Sequence, residues 1–437
     1  MFARDFRPPP TLLPRARPSR RQVLLGLAGA AAVPLLGACG GGDAASGGDG
    51  TGPVSIGSNS SNPNSKAAWQ ATFDAFTAAS GIQVEVNTTD HDTFQQQINS
   101  YLQGSPQDVF MWNAGYRMRA LVEDGLVSDM SDVWATVGDN YSAAQKEAST
   151  AEDGKQYFLP FFQFPWAVFY RRSLFEERGY AIPTTMDEFT ALATTMEADG
   201  LVPLAFAAKD GWPQMGMFDI LDMRINGFDH HMALMRGEEP WTGPRVAAVF
   251  EAWRGLFPHL QSGALGRSWQ QAAGSVVAKE AGMMYHGMSL GSEFTGDAGA
   301  DLDFFPFPVI DPAIGGGAVD APIDGLMISA DPDDRAAVNR FLEYMSTGEA
   351  QMIRLQNEPS EVAAGLDADP NLYTPLQKKA AEFIASAENV AQFMDRDTAP
   401  AFASTVLTPA LQQFIGAPDD YATVQQQIEQ QRKPIFG

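Results

Sequence analysis

Residues 106–115 read Pro106-Gln107-Asp108-Val109-Phe110-Met111-Trp112-Asn113-Ala114-Gly115. Four apolar residues, Val109 to Trp112, follow a turn marked by Gly104-Ser105-Pro106 and give way to an amide and a glycine. A short continuous apolar run of this kind fits a strand buried on both faces. Working back from it, Phe94, Ile98 and Leu102 fall at helical spacing, and Ile82-Gln83-Val84-Glu85-Val86 alternates as a strand. Ala67, Phe73, Phe76 and Thr77 mark a helix that stops at Gly81, and Val54-Ser55-Ile56-Gly57 opens the body as another strand. The alternation predicts an α/β fold with a mostly parallel sheet flanked by helices. In open parallel sheets ligands sit beyond the carboxyl ends of the strands. That rule selects Ser58-Asn59-Ser60, Thr89-Asp90-His91 and Trp112-Asn113-Ala114-Gly115. These are amide, hydroxyl, carboxylate and indole groups; the sequence contains neither GxxxxGK[ST] nor a GxGxxG after a strand, so a phosphate loop is not expected.

The chain of 437 residues is longer than one hydrophobic core supports, which predicts two lobes. With 53 acidic against 29 basic residues the net charge is -24, which repels phosphate backbones and argues against nucleic acid as a partner. The single cysteine, Cys39, excludes an intrachain disulfide and a cysteine-clustered zinc site. His230-His231 reads as a surface pair lacking a third ligand at metal spacing. Asp331-Pro332-Asp333-Asp334 lacks the glycine and glutamate of a calcium loop and reads as a helix cap. Neither a metal nor a cofactor is expected.

Residues 1–38 read as an export signal. Ser19-Arg20-Arg21-Gln22-Val23-Leu24 is a twin-arginine pattern, and the apolar run that follows, interrupted by Gly26, Gly29 and Pro34, is too short for a membrane span. It ends at Leu36-Gly37-Ala38-Cys39, which resembles a bacterial lipobox with Cys39 as the lipidated residue. Residues 39–52, rich in Gly, Ser, Ala and Asp, read as a flexible tether. The reading predicts an exported protein, at the cell surface or in the periplasm, anchored by lipid and acting on something outside the cytoplasm.

Several segments further on resemble, in order, the family 1 extracellular solute-binding proteins of ABC importers, the group that includes maltose-binding and oligosaccharide-binding proteins. They are Pro106 to Trp112, Leu121 to Val127, Gly154 to Pro160, Val168-Phe169-Tyr170 with Leu174-Phe175, Pro183 to Phe189, Lys279 to Gly287, and Asp331 to Gln351. Arg171 stands where the family usually has Asn, and Ser289 where it often has an aromatic, so a sugar platform does not transfer to Ser289. The resemblance implies a two-lobed periplasmic-binding-protein fold with a hinge between lobes. The first lobe is expected at 53–163 plus 309–360, and the second at 164–308 plus 361–437. It implies the substrate-binding component of a carbohydrate importer rather than an enzyme. The expected partners are a neutral sugar, of two or a few units, and the membrane permease; a monomer is expected.

A sugar offers hydroxyls on its rim and C–H patches on its faces, so its site needs fixed polar partners and flat aromatic surface. Trp112 and Asn113, at the end of the 109–112 strand, answer to that, although Trp112 could pack in the core as Trp134 or Trp253 does. Asn59 follows the first strand. Trp212 stands between Gly211 and Pro213, and Trp166 lies just past the first crossing between lobes. Asp324 sits on the lip of an apolar strand, and Phe393, Asp395 and Arg396 cluster in one loop. His286, beside Tyr285, falls in a segment that lines the family's cleft. The rivals are a glycoside-acting enzyme, in which Asp324 and Asp395 would flank the scissile bond, and a binder of cations such as polyamines.

Overall fold

The computed structural model describes residues 49–437, so the signal segment, Cys39 and most of the tether lie outside the described residues. The strands are β1 (Val54–Ser58), β2 (Val84–Thr88), β3 (Val109–Asn113), β4 (Leu159–Gln163), β5 (Trp166–Arg171), β6 (Val202–Leu204), β7 (Ala281–Gly287), β8 (Leu302–Phe305), β9 (Ala318–Asp320), β10 (Ile323–Ile328), β11 (Val362–Ala363) and β12 (Asn389–Ala391). One lobe is built on a six-stranded sheet in the order β11-β4-β10-β3-β1-β2, the other on a four-stranded sheet in the order β6-β7-β5-β8. A short parallel pair, β9 with β12, belongs to neither sheet.

The helices form where local signals and buried faces agree. Helix Pro63–Ser80 starts at Asn62, whose side chain accepts from the Asn64 N–H, and ends at Gly81 with φ 78°. Trp69, Phe73 and Phe76 make its buried stripe, each side chain stabilising the fold by roughly 1.5–3 kcal/mol. Helix Met186–Ala198 carries a complete capping box between Thr185 and Glu188. Asp334 caps helix Arg335–Met345 by accepting from the Ala336 and Ala337 N–H groups, the one acid of the 331–334 run to do so among the described residues.

The sheets are mixed rather than mostly parallel. β1 pairs parallel with β2 and β3, but β10 runs antiparallel to β3 and β4, and β5 runs antiparallel to β7 and β8. The cause is the crossover topology. A strand arriving from the opposite lobe enters its sheet at the end where the parallel strands finish, so it must run against them. β2 lies two residues later than the alternation suggested, because its register with β1 pairs Val54 with Val84.

The chain leaves the first sheet after Gln163 and joins the second at Trp166, through Phe164-Pro165. The stretch expected to rejoin the first lobe at 309 packs instead on the second as far as Asp320. Val309 bridges to Thr185, and the buried Arg224 donates to the carbonyls of Phe307 and Ala318. β10 then re-enters the first sheet at Ile323, and β11, two residues past the expected break at 360, pairs with β4.

Candidate ligand-binding cleft

β3 and β10 place the first polar pair. Their register sets Asp324 directly opposite Asn113, and residues facing each other on antiparallel strands project to the same side. Asn113 Nδ2 donates to Asp324 Oδ1 at 2.8 Å. Arg396 Nη1 donates to the same oxygen at 2.7 Å and to the Ile323 carbonyl at 3.3 Å. A second ion pair runs beside it, with Arg117 Nη1 donating to Asp395 Oδ2 at 2.8 Å. Arg117 also lies 4.9 Å over the Trp112 ring.

The turn that delivers Asp395 and Arg396 approaches the first lobe at a glycine. A Cβ on Gly115, whose φ is +84°, would lie 2.6 Å from the Arg396 carbonyl oxygen, so only glycine admits the turn there. Helix Pro63–Ser80 touches the second lobe as well. Asn62 Nδ2 donates to Glu293 Oε1 at 3.1 Å and Asn64 Nδ2 to the Ser292 carbonyl at 3.2 Å. The lobes are therefore drawn together across the space they enclose.

The second lobe contributes aromatic surface. Trp166 opens β5 and lies near-parallel to Phe393 at 4.7 Å and to His286 at 4.9 Å. Trp212 meets Trp166 edge-on at 6.2 Å and tilts against Trp269 at 6.3 Å. Trp269 is the first residue of helix Trp269–Val277, started by a Ser268–Gln271 capping box, and its N–H donates to Asp210 Oδ2 at 2.9 Å. His286 fills the space behind these rings. Burial lowers its pKa to about 4, with the Gly287 carbonyl offsetting part of the effect, so the ring is neutral at ordinary pH. Its Nδ1 lies 3.0 Å from that carbonyl, a contact that requires the proton on Nδ1.

These groups line one cavity of about 900 Å³. Asn59, Trp112, Asn113, Trp166, Trp212, Asp324, Phe393, Asp395 and Arg396 all border it. His286 does not, and supports Trp166 from behind. Trp112 and Trp166 are only 2% and 4% exposed, so they present little free face; Trp212 and Trp269 are the half-buried indoles. Asp92, Gln95, Arg117, Asp210 and Trp269 border the cavity but were not singled out by sequence. Trp269, at a helix start behind a capping serine, had a readable signal; Arg117 and Gln95, on helices Tyr116–Glu123 and His91–Leu102, carry none in sequence.

Several buried polar atoms around the cavity have no partner among the described residues: Gln95 Oε1, Trp112 Nε1, Glu358 Oε2 and Asp395 Oδ1. Donors and acceptors buried in this way cost roughly 1–3 kcal/mol each when unpaired. Their gathering around one space suits a ligand, or water, that offers both kinds of hydrogen bond. Among the described residues no cluster of three His, Asp or Glu side chains is placed to hold a metal ion, and no helix is long and apolar enough to cross a membrane.

His230 and His231 depart from their reading as a surface pair. Both are buried, with Nδ1 atoms 3.2 and 3.0 Å from the two carboxylate oxygens of Asp222. Burial opposes charge on His231, but the Asp222 hydrogen bond and the neighbouring Asp219 outweigh it and raise its pKa to about 9. The histidine doublet is thus part of the second lobe's interior.

Two α/β lobes around a polar and aromatic cleft define a solute-binding protein of the two-lobed class. The model for bacterial extracellular solute-binding proteins matches residues 59–352, and the chain belongs to that family. The bacterial solute receptor AcbH, whose crystal structures accompany an exclusive substrate preference for β-D-galactopyranose, is 42% identical, with a TM-score of 0.87 over 89% of this chain and 100% of AcbH. An uncharacterised ABC transporter extracellular-binding protein of Pyrococcus horikoshii, PH1214, is 23% identical over 292 residues, 66% of this chain and 65% of that one. The α-glucosides-binding periplasmic protein AglE of Rhizobium meliloti is 24% identical over 315 residues, 64% of this chain and 66% of AglE. The match thus spans about two thirds of the length of these curated relatives.

Proposed function

We propose that this chain is the substrate-binding component of a carbohydrate ABC importer, closing its two lobes on a neutral hexopyranose and presenting it to a membrane permease. The observation that carries the reading is the division of labour in the cleft. Asn113, Asp324, Arg396, Arg117 and Asp395 form a hydrogen-bonded polar wall, and the half-buried Trp212 and Trp269 offer apolar surface from the second lobe. A sugar matches both, with hydroxyls for the wall and C–H faces for the indoles. AcbH's preference for galactopyranose, over the full length of that receptor, favours a monosaccharide over the longer ligand expected from sequence. Closure follows when the ligand contacts both lobes better in the closed form than in the open one.

Asp324 and Asp395 are each engaged by an arginine, a state that suits fixed hydrogen-bonding partners better than an acid and nucleophile pair. One observation favours a cationic ligand instead. Asp92 and Asp210 border the cavity, and burial first, with Asp210 and Asp90 adding to it and His91 opposing, raises the Asp92 pKa above its ordinary value. Thermal unfolding with D-galactose, D-glucose, maltose and spermidine at 50 and 500 mM salt separates the readings, since bound ligand raises apparent stability. A neutral sugar stabilises at both salt concentrations; stabilisation by spermidine alone, lost at high salt, supports the cation.

The address at the N-terminus completes the proposal: export through the twin-arginine pattern, lipidation at Cys39, and a tether that holds the receptor near its permease. Cys39→Ser, expressed with its signal, is expected to move the protein from the membrane fraction to the soluble one. A variant that stays with the membrane refutes the anchor.

A further inference from the structure

Behind the ligand-facing turn lie two buried carboxylates with no part in the cleft itself. Asp397 Oδ2 accepts from the backbone N–H of Gln392 at 2.7 Å and of Phe393 at 3.0 Å. Asp219 Oδ2, on helix Pro213–Ile225, accepts from the N–H of Met394 at 2.8 Å. Three successive amides are thus fixed by two side chains. Phe393, in the middle, has φ 123°, a conformation that costs a non-glycine residue roughly 1–3 kcal/mol and persists only where the surroundings over-determine it. On the far side of the turn, Thr398 Oγ1 donates to the Met235 carbonyl at 2.6 Å.

What the strained backbone achieves is visible in its side chains. Phe393 lies against Trp166, while Asp395 and Arg396 reach Arg117 and Asp324 on the other lobe. A relaxed φ at residue 393 would swing all three. The second oxygen of Asp219 is 3.6 Å from His231 Nε2, and His231 Nδ1 is 3.0 Å from Asp222, so the interior supplies a cation behind the pair. Burying carboxylates where a neutral amide could accept the same N–H groups is costly to stability.

We infer that Asp397 and Asp219 are positioning residues that hold the 392–396 turn in its ligand-binding shape, acting on affinity through Phe393, Asp395 and Arg396. The inference rests on the reading of the cleft as a sugar site, but its mechanical part does not. The full chain is compared as wild type, Asp397→Ala and Asp397→Asn, by hydrogen exchange of the 388–398 segment without ligand, by thermal midpoint, and by calorimetric titration with D-galactose. Asp397→Ala orphans two amides and is expected to speed exchange in that segment alone and to weaken binding roughly tenfold or more. Asp397→Asn, which keeps an acceptor oxygen, is expected to restore both. Should Asp397→Ala not fold, Asp397→Glu, which displaces the carboxylate by one methylene, carries the same expectation. Unchanged exchange in the segment overturns the inference, and so does a rise in exchange throughout the second lobe that asparagine does not reverse. Wild-type protein that ignores galactose while Asp397→Ala still frees the segment overturns the sugar reading and leaves the positioning intact.

Discussion

A methyl group at residue 216 probes the cleft from beneath. Gly216 lies in the first turn of helix Pro213–Ile225, and a Cβ there would stand 2.5 Å from Trp166 Cζ3, 2.7 Å from Cε3 and 3.0 Å from Phe393 Cε2. Carbon atoms pack at about 3.5–4.0 Å, so Gly216→Ala must drive the Trp166 ring about 1 Å toward the cavity and Phe393 part of the way with it. Alanine gains up to about 1 kcal/mol of helix propensity. Overpacking costs typically 1–3 kcal/mol, so the net destabilisation is about 0–2 kcal/mol. At roughly 1–2 °C per kcal/mol, from an unfolding entropy of about 2.1 cal/mol/K per residue over a chain of this size, the midpoint falls by less than about 4 °C. Affinity is more exposed, because the Trp212 ring meets Trp166 and the Phe393 turn carries Asp395 and Arg396. Calorimetric titration with D-galactose is expected to show binding weakened about tenfold or more, a loss of about 1.4 kcal/mol or more. A folded Gly216→Ala protein with unchanged affinity refutes the claim that this aromatic layer shapes the site.

Three further substitutions test separate parts. Trp212→Ala removes a half-buried indole and is expected to weaken sugar binding by about 1–2 kcal/mol with the midpoint little changed; equal affinity in calorimetry rules the indole out as a sugar surface. Asp324→Asn takes the charge from the partner of Arg396 and is expected to cost affinity more than stability, read by titration and thermal melt together. Asp320→Asn bears on pH. Burial, with Asp397 adding to it and His231 opposing, raises the Asp320 pKa from 3.8 to about 7, and both its oxygens lack partners among the described residues. The folded state therefore holds a proton that the unfolded state has lost, so stability from this group is full below about pH 4 and is lost as pH rises through about 7. Asp320→Asn is expected to raise the midpoint more at pH 8 than at pH 5; the reverse order contradicts the sign.

Much of the first lobe was legible because β1, β3 and the helix at 63–80 carry their own signals: an apolar run, a period, a proline near the start and a glycine at the end. The run at 109–112 announced its burial, and Asn113 announced the cleft by following it. Asp324 was readable as an acid at the lip of an apolar strand, although its pairing with Asn113 across 211 residues was not. Strand direction was hidden because apolar patterning is the same for parallel and antiparallel neighbours; only the crossings decide it. The return to the first lobe was misplaced because the carbonyls of Phe307 and Ala318 are held by Arg224, a buried arginine whose interior position no sequence pattern marks. For the same reason His230-His231 looked exposed, since the carboxylate that shelters both lies on the preceding helix, eight and nine residues earlier.

Titrating the full chain with D-galactose by calorimetry, at low and at high salt, puts the claim of an interlobe sugar receptor to its plainest test. One site per chain, similar affinity at both salt concentrations, and loss of the signal in Asp324→Asn are the results to expect. Heat from spermidine but none from galactose or any other neutral sugar would show that the cleft serves a different kind of solute.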